Sequence, residues 1–373
     1  MQPYTTLDLI ALALAAIHFG APLTYYYYLK TRYLHKPWNL KLSPNYQPKV
    51  TIIIPTYNEA SLIKEKLDNI LTQDYPREKI ELIIIDSAST DGTPEKIKEW
   101  IRQHPQINTK LIQEQERRGK AHALNKALQH ATGEITIITD ADAHWPSPNT
   151  LRETVKWHSN PSIGAVSCLK QPENKGPGEV ESGYRQYYNQ VRLAESKAHS
   201  TPIFHGELAA YKTSLLKQIG GFPTDIGADD SHTATQIALQ GHRAITPENI
   251  HCTEKIPPTQ YHQWRIRRAQ HLIQHFTKTL KQKTKPPKPL KTILTTETYL
   301  HLINPWTLTI ATLLLATSTL LQKSTLATIL LAATPLLLTA KPARTWITTQ
   351  AYLTIAAIRN LWTEELTWQK QQK

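Results

Sequence analysis

Apolar residues crowd the two ends of the chain, and between them they follow two different rhythms. Leu9 to Leu29 holds no Asp, Glu, Lys or Arg. At about 1.5 Å per residue, some 20 residues cross the hydrocarbon of a bilayer. Residues 1–30 therefore predict a transmembrane helix, with Tyr25 to Tyr28 as an aromatic belt at one end. Near the other terminus, Ile303 to Leu321 and Ser324 to Ala340 are uncharged and are separated only by Gln322 and Lys323. They predict a helical hairpin. Thr345 to Ile358 is shorter and is closed by Arg359, which leaves a further span and an interfacial helix both open. This C-terminal unit covers residues 300–362.

The middle reads as alternating strands and helices. Val50 to Ile54 is a β-branched run, and Leu62, Ile63, Leu67, Ile70 and Leu71 then recur at helical spacing. Ile80 to Ile85 is a fully apolar strand ending at Asp86, and a turn-rich stretch leads to a helix starting near Pro94. Lys110 to Ile112 is a short strand, Ala121 to His130 a helix, and Ile135 to Thr139 a strand ending at Asp140. The expected fold is α/β, a mostly parallel sheet covered on both faces, with flanking transmembrane helices.

Composition narrows this picture. The chain has 373 residues, 43 Lys+Arg against 30 Asp+Glu, and a net charge of +13. Its length suits a domain of about 250 residues plus an extra part. With 40% hydrophobic and 20% charged residues it is not a disordered polymer. Cys168 and Cys252 make no disulfide framework and no C-x-x-C pair, which argues against a structural zinc or dithiol site. Lys30, Arg32, Lys36 and Lys41 follow the first apolar run, and Lys341 and Arg344 follow the hairpin. The positive-inside rule then puts the polar domain in the cytoplasm, on a multi-pass cell-membrane protein. Basic residues after the apolar run, rather than before it, argue against a signal peptide.

Ligands of open parallel sheets bind beyond the carboxyl ends of the strands. Asp86 and Asp140 each follow an apolar strand directly, and Asp142 comes two residues later. A single strand-terminal Asp usually caps a turn, but this repetition favours a site. No G-x-G-x-x-G or Walker loop is present. A divalent cation bridging Asp142 and a diphosphate is the natural substitute, since hard cations take carboxylate and phosphate oxygens.

Val50 to Glu59 (VTIIIPTYNE), Ile85 to Thr93 (IDSASTDGT), Arg118 to Leu128 (RGKAHALNKAL), Asp140 to Asp142 (DAD) and Gly220, Gly221 and Phe222 resemble family-two glycosyltransferases of the GT-A fold. The resemblance runs from about Pro48 to Thr259 and implies a catalytic domain over 48–255. It implies inverting transfer of a sugar from a nucleotide sugar, with Mg or Mn. Pro55, Thr56, Tyr57 and Glu59 match the loop under base and ribose, and Asp86 the carboxylate on the base edge. Arg118 and Lys120 match the loop beside the diphosphate. Asp142 matches the metal carboxylate, and Asp140, counted with it as a metal residue, the contact to ribose or sugar. Asp230 matches the base that deprotonates the acceptor, and Asp229 the acidic residue before it. Outside the resemblance, an acidic pair opening a helix is an ordinary N-terminal cap. His144, His205 and His251 lie near the motifs and are read as polar neighbours rather than ligands.

From Lys255 to Lys291 there are ten Lys and Arg and no Asp or Glu. Ile266, Ala269, Ile273, Phe276 and Leu280 share one helical face, so residues 256–290 predict a basic amphipathic helix on an anionic leaflet. The neighbouring apolar stretches favour membrane over nucleic acid as the partner. The Q-x-x-R-W signature of processive relatives is broken here: Gln260 and Trp264 keep its ends, but Gln263 stands where Arg belongs. Arg267 and Arg268 are then candidates for the diphosphate or a lipid phosphate. The expected activity is transfer of one sugar to a lipid or lipid-linked acceptor at the cytoplasmic face. The alternatives are a processive polysaccharide synthase and an inactive nucleotide-sugar-binding scaffold.

Overall fold

The computed structural model describes residues 2–172, 178–254, 256–257 and 260–363. Lys255, where the basic junction begins, and Thr259, where the family-like stretch ends, lie outside the described residues. The strands are β1 Val50–Thr56, β2 Ile80–Ser87, β3 Asn108–Glu114, β4 Ile135–Ile138, β5 Ala143–His144, β6 Ile163–Ser167, β7 Leu169–Pro172, β8 Ala209–Lys212, β9 Arg243–Ile245 and β10 His251–Glu254. The α-helices are α1 Thr6–Leu29, α2 Ile63–Leu71, α3 Thr93–Gln103, α4 Lys120–Leu128, α5 Thr150–Trp157, α6 Gly178–Ala198 and α7 Thr213–Gln218. They continue with α8 Asp229–Leu239, α9 Tyr261–Leu280, α10 Lys288–Leu302, α11 Asn304–Gln322, α12 Thr325–Thr339 and α13 Lys341–Arg359.

The main sheet has the order β3-β2-β1-β4-β8-β6-β9, and a small sheet has the order β5-β10-β7. β3, β2, β1 and β4 run parallel, while β8 is antiparallel to both β4 and β6. The expected mostly parallel α/β sheet is therefore present, with one reversed strand. Its unbroken apolar strands are buried on both faces because side chains alternate. Ile52, Ile54, Leu82 and Ile84 enter one core with α2, α3 and α5. Ile53, Ile83, Ile85 and Ile138 enter the other with α4 and α8, and Leu290 and Leu294 of α10 complete it.

Among the described residues two helices are long and apolar enough to cross a membrane, Thr6–Leu34 and Lys288–Gln322. α12 has 15 residues, or about 22 Å of helix, short of a hydrocarbon core of about 30 Å. A bend of 110° separates α12 from α13. α1 makes polar contacts with the start of α11, the residue capping α12, and α13. Ser324 Oγ donates to Asp8 Oδ2 at 2.6 Å, His18 Nδ1 to the Asn304 carbonyl at 2.9 Å, and Trp346 Nε1 to His18 Nε2 at 2.9 Å.

Two expectations change. The Tyr25–Tyr28 belt is split, because successive helical residues point about 100° apart. Tyr25 donates to Glu195 at 2.7 Å and Tyr26 to Gln190 at 2.5 Å, both on α6, while Tyr27 and Tyr28 are exposed. The apolar face of α9 does not lie open for lipid either: Ala269 and Ile273 pack against Leu353 and Ala356 of α13. Phe276 is buried and stacks on His301 of α10, and Leu280 alone of that face is exposed.

Candidate active site

The strand ends of β1, β2 and β4 open into a cleft of about 250 Å³. Pro55, Thr56, Tyr57 and Glu59 line it from the end of β1, and Asp140 and Asp142 from the turn after β4. Asp229 and Asp230, the first turn of α8, face the same space, with Arg267 and Arg268 of α9. The resemblance thus pointed to residues that do converge.

Lys120, at the start of α4, stands among the aspartates. Its Nζ is 2.7 Å from Asp140 Oδ1 and 3.9 Å from Asp229 Oδ2. Burial works against its charge, yet Asp140, Asp229 and Asp230 together hold the ammonium above the ordinary lysine value. The approach depends on Gly206, where a Cβ would lie 2.9 Å from both Asp140 Oδ2 and Lys120 Nζ. Burial, then the neighbouring Asp229, pushes Asp230 up to about 7. Burial also raises Asp229. A carboxyl poised near neutrality is suited to accept a proton from a hydroxyl.

Two predicted residues do not join them. Asp86 is 1% exposed and does not line the cleft. Its oxygens accept from Thr56 Oγ1 at 3.0 Å, Ser89 N at 3.0 Å and Ser89 Oγ at 2.5 Å. These bonds tie the β2–α3 turn to β1, as a strand-terminal Asp commonly does. Arg118 points to a separate outer groove and ion-pairs with Glu116 at 2.6 Å. Its neighbour Arg117 enters the cleft, with the guanidinium 3.9 Å from the centre of the Tyr57 ring. Arg268 lines the cleft but is engaged by Glu254 at 3.0 Å and Glu207 at 3.4 Å. His205 lines the cleft as a neutral imidazole, since burial and then Lys170 drive its pKa well down. His144 lines a second groove beside Asp142, and His251 lies in β10 away from both.

The far wall of the cleft was not read from sequence. Tyr184, Arg185, Tyr188 and Arg192 of α6 supply it. The spacing of 184, 188 and 192 marks one helical face and was the available signal. Behind it lie buried ion pairs. Glu181 meets Arg185 at 2.7 Å and Arg265 at 3.1 Å, and Lys170 pairs with Glu207 and, at 2.6 Å, with Glu254. In the second groove Lys66 is buried over the Trp145 ring, its Nζ without a hydrogen-bond partner, and burial lowers it to about 8.

Among the described residues no three His, Cys, Asp or Glu side chains converge to hold a metal by themselves. This donor set suits a hard cation that takes one or two carboxylates and completes its shell with phosphate oxygens and water. Asp142 and Asp140 are the carboxylates of the cleft placed to contribute, with Asp140 also paired to Lys120.

Residues 51–220 match the model of glycosyl transferase family 2. The chain is 56% identical to the mannosyltransferase PcManGT of Pyrobaculum calidifontis, solved with GDP-Man and Mn2+. That match covers 96% of this chain and 100% of the other, with a TM-score of 0.90. It is 26% identical over 268 residues to a poly-beta-1,6-N-acetyl-D-glucosamine synthase of Staphylococcus epidermidis, covering 69% of this chain and 64% of the synthase. A synthase of that name from Staphylococcus aureus is 29% identical over 248 residues, covering 64% and 58%. The match thus spans less than two thirds of the length of these synthases.

Proposed function

The chain belongs to glycosyl transferase family 2, and from that premise we propose that it moves one mannosyl unit from GDP-mannose to a lipid or lipid-linked acceptor at the cytoplasmic face of a membrane. The observation that carries this reading is the convergence of Asp142, the Lys120–Asp140 pair and Asp230 in one cleft. The donor is taken from the relative that is 56% identical and was solved with GDP-Man and Mn2+. The acceptor reading draws on the cleft's far wall. α6 receives Tyr25 and Tyr26 of α1, and α9 packs on α13, so helices flanking the cleft also bear the apolar segments.

In this mechanism Asp230 takes the proton of the acceptor hydroxyl as that oxygen attacks the anomeric carbon. The bond from that carbon to the diphosphate oxygen breaks, its electron pair leaves with GDP, and the configuration inverts. Lys120 keeps Asp140 and Asp229 in place and adds positive charge near the leaving group. A divalent metal held by Asp142 would supply Lewis acidity for the departing diphosphate.

The test incubates purified full-length protein with GDP-mannose and Mn2+ or Mg2+, offering membrane lipid extract or soluble mannosides. Mass spectrometry should find one hexose added to a lipid product. Equal transfer to soluble sugars would remove the lipid acceptor. The polysaccharide-synthase reading is favoured by the names of the staphylococcal relatives, and a ladder of lengthening products would establish it. GDP-mannose bound by the wild-type protein but never consumed would leave only a binding scaffold.

A further inference from the structure

We propose that Lys66 lowers the affinity of the Asp142 carboxylate for a bare divalent cation; this rests on Asp142 holding the metal, as read above. Lys66 belongs to α2 and lines the second groove, which has a volume of about 270 Å³. Ala141 and Asp142 line both this groove and the catalytic cleft, so the two spaces meet at the metal carboxylate. The lysine is 2% exposed, and its Nζ has no hydrogen-bond partner. That nitrogen rests 4.3 Å from the centre of the Trp145 ring. Asn69, one turn further along α2, donates from Nδ2 to the Trp145 carbonyl at 3.0 Å and accepts from the Trp145 N–H at 2.9 Å. The segment that follows Asp142 is thereby pinned to the helix that carries Lys66.

A cation in this position acts on its neighbours more strongly than an exposed lysine would. Burial strips its hydration, and the surroundings screen its field poorly. Burial lowers Lys66 to about 8, while Cys252, Asp140 and Asp142 draw it upward, so it carries its proton at neutral pH. The attraction is mutual. The ammonium stabilises the charged Asp142 carboxylate and repels a second cation from it. Among the described residues no three His, Cys, Asp or Glu side chains converge to overcome that repulsion. A bare ion is therefore held weakly, and it gains its hold when phosphate oxygens complete the shell. Lys66 acts through Asp142 and takes no part in the proton transfer at Asp230.

Mn2+ binding to the full chain in detergent, with no nucleotide present and read from the paramagnetic resonance of the free ion, tests this. Lys66→Met has similar length and no charge, and should bind Mn2+ at least about fivefold tighter than wild type. Lys66→Gln should repeat that gain, and Lys66→Arg, which keeps the charge, should match wild type. Adding Asp142→Asn to Lys66→Met should erase the gain. GDP without metal should bind Lys66→Met no tighter than wild type, because the sign of the interaction reverses for an anion. Equal Mn2+ affinity in wild type and both neutral variants, or a gain in Lys66→Arg as well, would overturn the role of Lys66 alone. So would tighter binding of both Mn2+ and GDP to Lys66→Met, which would mark a general repacking. A gain that survives Asp142→Asn would place the ion elsewhere and defeat the reading of Asp142 together with the inference.

Discussion

Two groups of carboxylates, one lining the cleft and one behind its far wall, differ in their counter-charges. Asp140, Asp229 and Asp230 gather around Lys120. Behind the far wall, Glu181 alone has both Arg185 and Arg265. Burial pushes the carboxyls of Asp229, Asp230 and Glu181 upward, and the neighbours decide the outcome. Asp230 rises to about 7, with a like charge beside it. Glu181 falls to about 2, since two guanidiniums outweigh its burial. Identical chemistry becomes a proton acceptor where charge is under-compensated and a tie where it is balanced.

The largest expected effect breaks the first group. Asp230→Asn should lower turnover by roughly 10²- to 10⁴-fold while the melting temperature holds or rises, measured by donor consumption and thermal melts. The second group should respond in stability. Glu181→Gln leaves Arg185 and Arg265 without their shared carboxylate and should cost about 3–5 kcal/mol, read from denaturation in detergent. A pH series sharpens the contrast, because the two signs are opposite. Asp230 is raised from 3.8 to about 7, so its contribution to stability is lost as pH climbs through that window. Glu181 is lowered from 4.5 to about 2, so its contribution is complete above 4.5 and is lost as pH falls through that window. Turnover should likewise fall below pH about 7, and Asp229→Asn should move that limb to lower pH by removing a neighbouring charge. The smallest effect belongs to an exposed pair: Arg102→Ala, beside Glu99, should change stability by less than about 0.5 kcal/mol.

Much of the first group was legible in the chain. β1, β2 and β4 announce themselves as apolar runs, and Asp140, Asp142 and Asp230 stand at motif positions near element ends. The second group was not, because Glu181 meets Arg265 across 84 residues, and no local spacing encodes that contact. Arg118 and Arg117 show the limit from the other side. The motif marks the pair, but the path of the loop into α4 decides which one enters the cleft. Asp86 was placed at its strand end from sequence, but its bonds to the hydroxyls of Thr56 and Ser89 were not. The face of α9 had the right periodicity and the wrong partner, because α13 returns to cover it.

The polar contacts inside the apolar helices also impose a schedule on biosynthesis. His18 emerges 286 residues before Asn304, so at about 5–20 residues per second the first helix waits roughly 15–60 s for its partner. During that interval Asp8 and His18 have no native acceptor or donor from the later segments. The first helix thus stays without these partners until the sheet and the two helices after it have been made.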